Sequence, residues 1–345
     1  MKNYIIQKPD LEGWIEKLLK REEIVAPVKK ENFTSFTPIS SVKEIIWGAP
    51  QTVIPPKQYL YPQSEELLTY EFDADGPRPT AKNFAKERIL FGVHPCDLNA
   101  IFQMDQVFAE KNRDENYLKK RKAAVLIGVD CLALCAPQAF CSRMGAIDPK
   151  GRFDLFLTDI GDSFFLEAAT AKGKNLAEGI APQASESDRQ RLSDIRRQRD
   201  MLFEREQQKL LPGIKTLPAL VKENHDHPAW EERGGKCYGC GSCNMVCPTC
   251  YCFDVQDYMQ ISLARGVRTR FWDGCMLEDF AKVASGENFR ENRADRLRHR
   301  TYRKLYYLFE KWGEPFCTGC GRCPKACLTK IVSPLEIANE IYAGK

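Results

Sequence analysis

Two cysteine runs dominate the chemistry open to this chain. The first, Cys237-Tyr-Gly-Cys240-Gly-Ser-Cys243-Asn-Met-Val-Cys247-Pro248, has the spacing C-x2-C-x2-C-x3-C-P. The second, Cys317-Thr-Gly-Cys320-Gly-Arg-Cys323-Pro-Lys-Ala-Cys327, repeats that spacing with Leu328 where proline is usual. Three thiolates at x2 intervals wrap a tight loop around three corners of an iron–sulfur cubane, and in two-cluster ferredoxins the fourth cysteine ligates the other cluster. That rule assigns Cys237, Cys240, Cys243 and Cys327 to cluster I, and Cys317, Cys320, Cys323 and Cys247 to cluster II. Gly239, Gly241, Gly319 and Gly321 let the backbone approach each cluster and aim N–H groups at its sulfurs. Structural zinc also takes four thiolates. It usually pairs two C-x2-C knuckles, whereas each run here offers four cysteines in eleven residues. The expected cofactors are therefore two [4Fe–4S] clusters.

The distribution of thiols agrees. The chain has 345 residues and 15 cysteines: none before residue 96, four from Cys96 to Cys141, and eleven from Cys237 to Cys327. An odd count in a large chain with no apolar leader argues against a disulfide framework. Met1 to Gly13 carries no signal-like apolar run, and no stretch of eighteen apolar residues occurs, so a cytoplasmic protein without a membrane span is expected. Hydrophobic residues at 43% and charged residues at 28% suit a globular chain. The formal charge of +4 counts thiols as neutral. Two clusters at roughly −2 each would cancel it, so the charge does not point to nucleic acid.

Elements that could position these thiols follow from periodicity. Residues 10–20 read as a helix capped by Asp10, with Leu11, Trp14, Ile15 and Leu18 on one face. Residues 24–70 read as short strands and loops. The apolar runs 89–93 and 123–129 suit buried strands, each followed by a cysteine-bearing loop. A helix over 97–110, capped by Asp97, makes them a β-loop-α-β unit, and 153–157 is a third strand. Residues 185–211 read as a solvated connecting helix with a thin apolar stripe. The insert of 69 residues between the two runs reads as helical at 254–265, 277–284 and 294–311. The expected organisation is an α+β fold: a mixed α/β domain over 1–184, a helical connector over 185–228, and a helical ferredoxin-like domain with two clusters over 229–345. Shared ligation makes folding of the last depend on the metal.

Beyond the spacing, the wording Cys243-Asn-Met-Val-Cys-Pro-Thr-Cys-Tyr-Cys-Phe-Asp-Val255 resembles a known family. So do Phe91-Gly-Val-His-Pro-Cys-Asp-Leu98, Cys275 after an aromatic-Asp pair, Gly286-Glu-Asn-Phe-Arg290 and Asp295-Arg-Leu-Arg-His-Arg300. The family is the iron–sulfur β subunit of cytosolic NiFe hydrogenases of the sulfhydrogenase type, together with the related iron–sulfur subunit of anaerobic sulfite reductase. The likeness runs from about residue 85 onward and is nearer the hydrogenase branch. It implies an electron-transfer subunit, working anaerobically between a flavin- or nicotinamide-binding partner and a catalytic hydrogenase or reductase subunit.

Seven cysteines remain. Cys96, Cys131, Cys135 and Cys141 lie on neighbouring loops and offer a ligand set for a third [4Fe–4S] cluster. Members of the family often read Cys-Phe-Cys where this chain has Ala139-Phe140-Cys141, so buried structural thiols are the competing use. Cys250, Cys252 and Cys275 number three. They are auxiliary ligands or thiols packed beside the clusters. His94, His225 and His227 are expected in loop hydrogen bonds. Arg265, Arg268, Arg270 and the basic run 290–304 read as solvated, or as a surface that docks an acidic partner. No phosphate loop or Gly-x-Gly-x-x-Gly occurs, so no flavin or nicotinamide site and no substrate chemistry are expected in this chain. Three other functions fit the same residues: the iron–sulfur component of a siroheme sulfite reductase, a subunit that itself reduces sulfur compounds, or a non-redox iron–sulfur scaffold or sensor.

Overall fold

The computed structural model describes residues 1–82 and 85–344. Its strands are β1 (Lys2–Gln7), β2 (Ile24–Lys30), β3 (Phe33–Pro38), β4 (Ser64–Asp73), β5 (Gly76–Ala81), β6 (Arg88–Val93), β7 (Ala124–Val129), β8 (Leu155–Asp159), β9 (Ser163–Ala168), β10 (Phe253–Met259) and β11 (Arg265–Trp272). The helices are α1 (Lys8–Leu19), α2 (Pro95–Phe108), α3 (Glu115–Ala123), α4 (Ala171–Ala177), α5 (Glu186–Glu206), α6 (Leu217–Glu223), α7 (Ala229–Gly235), α8 (Ser242–Met245), α9 (Arg293–Tyr302), α10 (Leu308–Trp312), α11 (Arg322–Ala326) and α12 (Pro334–Tyr342).

A seven-stranded mixed sheet, in the order β1-β9-β8-β7-β6-β2-β3, forms the N-terminal half. Strands β2, β6, β7 and β8 run parallel, and the outer pairs are antiparallel. The alternation of apolar residues decides which face each one joins. Ile24, Ile89, Phe91, Ile127 and Leu157 enter one core with α1. Val25, Leu90, Leu126 and Phe156 enter the other with α2 and α3. Burial on both faces is what a parallel sheet requires. It also sends the loops after β6 and β7, which carry the N-terminal cysteines, to the same edge of the sheet.

The expected β-loop-α-β unit is present, with a different cap. Asp97 lies inside α2, whose N-cap is His94, and it is almost wholly buried. Likewise α1 begins at Lys8 behind Gln7, with Pro9 in its first turn, so Asp10 is not its cap. Proline at the first helical positions starts both helices, because its missing N–H would have had no partner there.

The largest departure is in the insert. Residues 253–272 form the hairpin β10–β11, not a helix, and β11 pairs with β4 to build a four-stranded antiparallel sheet β10-β11-β4-β5. Phe253, Val255, Thr269 and Phe271 alternate with polar residues, a period of two that suits a strand. Residues 277–284 hold only a short turn at Asp279–Ala281. Helix is retained at 293–312 as α9, a π-helical turn over Arg303–Tyr307, and α10. The ferredoxin-like part is therefore not all-helical.

Helix α5 is capped by a box in which Ser185 and Asp188 bond each other's backbone. It is not simply solvated. Phe203 is buried, and Arg199 Nη1 donates to the buried Asp130 carboxylate at 2.7 Å, which fixes the helix against the sheet.

Candidate metal centre

Both cysteine runs share a backbone device. In each, a pair of glycines with positive φ turns the chain directly into a short helix: Gly239 and Gly241 before α8, Gly319 and Gly321 before α11. The two short helices pack against each other, which brings the runs together across the insert. The consequence shows at one enclosed cavity whose lining includes Cys317, Cys320 and Cys323 of the second run and Cys247, the last cysteine of the first. Cys237 and Cys243 lie in the neighbouring core, with Cys327 packed against it, while Cys240 faces solvent. The Gly239 N–H points at Cys237 Sγ, 3.3 Å away.

The glycines of the second run do more than turn. A Cβ at Gly319 would stand 2.6 Å from the Phe140 carbonyl oxygen, and one at Gly321 would stand 2.6 Å from the Gln138 carbonyl carbon. The loop 138–141 thus lies flat on the loop of the second cysteine run, and the Phe140 N–H donates to the Gly319 carbonyl at 2.7 Å. Gly319→Ala is expected to lose ~2–4 kcal/mol of stability, combining left-handed strain with a backbone clash. Anaerobic denaturant unfolding measures it. Gly286→Ala, at φ +89 with open space around it, meets the strain alone.

The surroundings of the cavity are cationic. Arg300 and Lys304 line it and are almost fully buried. Arg300 Nη1 reaches the Val332 carbonyl at 3.4 Å and the Arg300 guanidinium also donates to Cys323, while Lys304 Nζ reaches Thr249 O and Oγ1 at 3.1 and 2.7 Å. Among the described residues neither has a carboxylate partner. Arg300 Nε and Thr318 Oγ1, both on this lining, are buried without any hydrogen-bond partner. Buried cations need an opposite charge, and among the described residues the groups beside them that could supply it are thiolates. Burial pushes the Cys243 and Cys317 thiols up to about 12. Cys247 goes the other way, held well below the usual thiol range by a hydrogen bond from Cys250 and by the charges of Lys304, Arg300 and Lys57. Burial works against the Lys304 ammonium, yet the charge of the neighbouring Cys247 thiolate holds it above its ordinary value. A thiolate-ligated, anionic cluster fits this donor set and satisfies the stranded donors. Among the described residues no three His, Cys, Asp or Glu side chains gather closely enough to hold one metal ion.

The remaining predicted residues fall into two groups. Cys250, Cys252 and Cys275 line a second cavity of about 340 Å³, with His299 and Arg303. The Asn244 amide donates to Cys250 Sγ at 3.6 Å and to Cys275 Sγ at 3.5 Å. Cys96, Cys131, Cys135 and Cys141 gather at the edge of the large sheet beside Cys320. His94 is half-buried; His227 accepts from the Ala229 N–H, and His225 pairs with Asp226. The basic residues depart from the expectation of a solvated surface. Arg270 is buried and paired with Glu65 and Asp114, and Arg296, Arg300 and Lys304 are buried too, while Arg265 and Arg268 are exposed in ion pairs. Sequence reasoning also misses Lys57, Gln51 and Arg322. Lys57 Nζ donates to the Cys250 carbonyl at 2.5 Å, and the Gln51 amide donates to the Cys320 carbonyl. Arg322 stands inside the second run, but nothing local marks its partner, Asp97.

Comparison with known proteins agrees with this donor set. Residues 236–331 match the model of a 4Fe-4S dicluster domain. The chain is 28% identical over 330 residues to the sulfhydrogenase 2 subunit beta of Pyrococcus furiosus, covering 93% of this chain and 92% of that protein. No solved structure matches it. The resemblance to the iron–sulfur β-subunit family thus extends along nearly the whole chain, and its C-terminal segment is similar to a 4Fe-4S dicluster domain. No helix among the described residues is long and apolar enough to cross a membrane.

Proposed function

We propose that this chain, a relative of a hydrogenase β subunit carrying a 4Fe-4S dicluster domain, relays single electrons between a flavin- or nicotinamide-binding partner and a catalytic subunit of NiFe hydrogenase type. The observation that carries the reading is the meeting of Cys247 with Cys317, Cys320 and Cys323 on one cavity. In this reading those four hold one cluster, and Cys237, Cys240, Cys243 and Cys327 hold the other. The clusters supply one-electron chemistry. The chain's own residues set their separation, their burial and the charge around them. Arg300 and Lys304 offset the thiolate charge, Thr318 and the glycine N–H groups offer donors to sulfur, and Cys250, Cys252 and Cys275 pack beside the clusters as thiols. The similarity to a sulfhydrogenase subunit favours the hydrogenase type over a siroheme sulfite reductase.

Cysteine-to-serine exchange tests the interleaving. Cys247→Ser should damage the same cluster as Cys317→Ser, and Cys327→Ser the same cluster as Cys237→Ser, seen as matching EPR spectra after dithionite reduction. If Cys247→Ser instead pairs with Cys237→Ser, each run closes its own cluster and the assignment fails. Anaerobic affinity purification then identifies the partners. Recovery with siroheme-containing protein would replace the hydrogenase reading.

A further inference from the structure

We propose that Cys96, Cys131, Cys135 and Cys141 hold a third [4Fe–4S] cluster, which extends the electron path from the second cysteine run into the N-terminal half. The proposal rests on the two-cluster reading only for its electron donor. The four thiols come from separate points of the chain. Cys96 stands in the first turn of α2, Cys131 two residues after β7, and Cys135 and Cys141 on the loop that follows. The parallel sheet brings the ends of β6 and β7 together, and those loops with them. Cys96 and Cys141 share one buried cluster with Cys320, and Cys131 packs against it. Cys131 and Cys135 together line the adjoining cavity, with His94 and Asp130 on the same wall. This is a complete four-thiol donor set, and the N-terminal 184 residues contain no other cysteine.

Two further features suit a cluster better than idle thiols. The Gln207 amide donates to Cys141 Sγ at 3.5 Å, an amide–sulfur contact of the kind that tunes thiolate-bound iron. The group is also fastened to the second run at three points. Phe140 N–H bonds Gly319 O, Gln51 bonds Cys320 O, and Asp97, next to Cys96, grips Arg322 with two hydrogen bonds of 2.6 and 2.7 Å. Neutral thiols used as filling would need none of this. The cost in side-chain placement makes sense if electrons pass between the Cys320 side and the Cys96 side. Each transfer moves one electron from one centre to the next, with no bond made or broken and no proton required.

The full-length chain, purified anaerobically, tests this by metal content and EPR. About twelve irons and twelve acid-labile sulfides per chain are expected, against about eight for two clusters. Cys131→Ser and Cys135→Ser should lower iron by up to about four and remove one set of EPR signals, leaving those of the C-terminal clusters in place. Cys252→Ser should leave the count unchanged. A wild-type count of eight that neither variant alters overturns the proposal, as does one zinc per chain that leaves with Cys131→Ser. If the variants do not fold, iodoacetamide labelling of the wild type decides. Protection of Cys131 and Cys135 until iron is chelated supports the cluster, and labelling of the untreated holo chain overturns it. A count below eight with C-terminal variants unaffected would instead defeat the two-cluster reading.

Discussion

Asp97→Asn is expected to destabilise the folded chain by ~3–5 kcal/mol, because it strands a buried guanidinium. Arg322 and Asp97 are both almost fully inaccessible, and the pair is bidentate. Arg322 Nε donates also to the Thr52 carbonyl at 2.8 Å, and Nη2 to Thr52 Oγ1 at 3.1 Å, so one side chain ties the second cysteine run to two N-terminal segments. Anaerobic denaturant titration of variant and wild type measures the loss. The double variant Asp97→Leu with Arg322→Met should recover much of it, since replacing a whole buried pair is far less costly than breaking one. The exposed pair Lys2–Glu178 is the control and should matter little. A loss below about 1 kcal/mol would mean that the Asp97 contact contributes no net stability.

Arg300→Met is expected to lower the reduction potentials of the clusters. Arg300 is buried among Cys323, Cys243 and Cys247, thiols assigned to both clusters, and has no carboxylate partner among the described residues. Its positive charge favours the reduced, more negative state, so its removal makes reduction harder. At a separation of about 7 Å and an effective dielectric of about 20, the Coulomb term is ~2 kcal/mol, or ~100 mV for one electron. Spectroelectrochemical titration reads the shift, with iron content checked to show that the clusters persist. Lys304→Met should move the Cys247-ligated cluster in the same direction, and the exposed Arg268→Met should move neither. An upward shift, or none, in the Arg300 variant would contradict a field set by this residue.

The chemistry of the chain is far more legible in the sequence than its three-dimensional construction. The proposed cluster ligands stand out because spacing in a tight loop is local information, and Gly319 and Gly321 are part of the same local pattern. The N-terminal sheet is readable for a similar reason: Ile89–Val93 and Ala124–Val129 are short apolar runs with clear ends. Residues 253–272 mislead because charges at Asp257, Arg265, Arg268 and Arg270 suggest a helix surface. The strand assignment depends on pairing with Ser64–Glu71, which no local window contains. The buried cations mislead in the same way. Arg270, Arg300 and Lys304 look like solvated charges until their neighbours, a distant carboxylate or a group of thiols, are known. Asp97 looks like a helix cap because its partner is 225 positions away.

The four-stranded sheet sets a timetable for the newborn protein. Arg270 meets Glu65 across 205 residues, so β4 has β5 beside it early but must wait for β11. At ordinary elongation rates of roughly 5–20 residues per second, that wait is on the order of ten to forty seconds. Throughout it the β4 edge presents open backbone groups to whatever strands are near the ribosome. The second cysteine run, Cys317 to Cys327, follows β11 in the chain, so the thiols proposed to share a cluster with Cys247 emerge only after this sheet can close. Iron delivered before then would find incomplete ligand sets in the interleaved arrangement proposed here, so closing of this sheet comes first and cluster loading follows it.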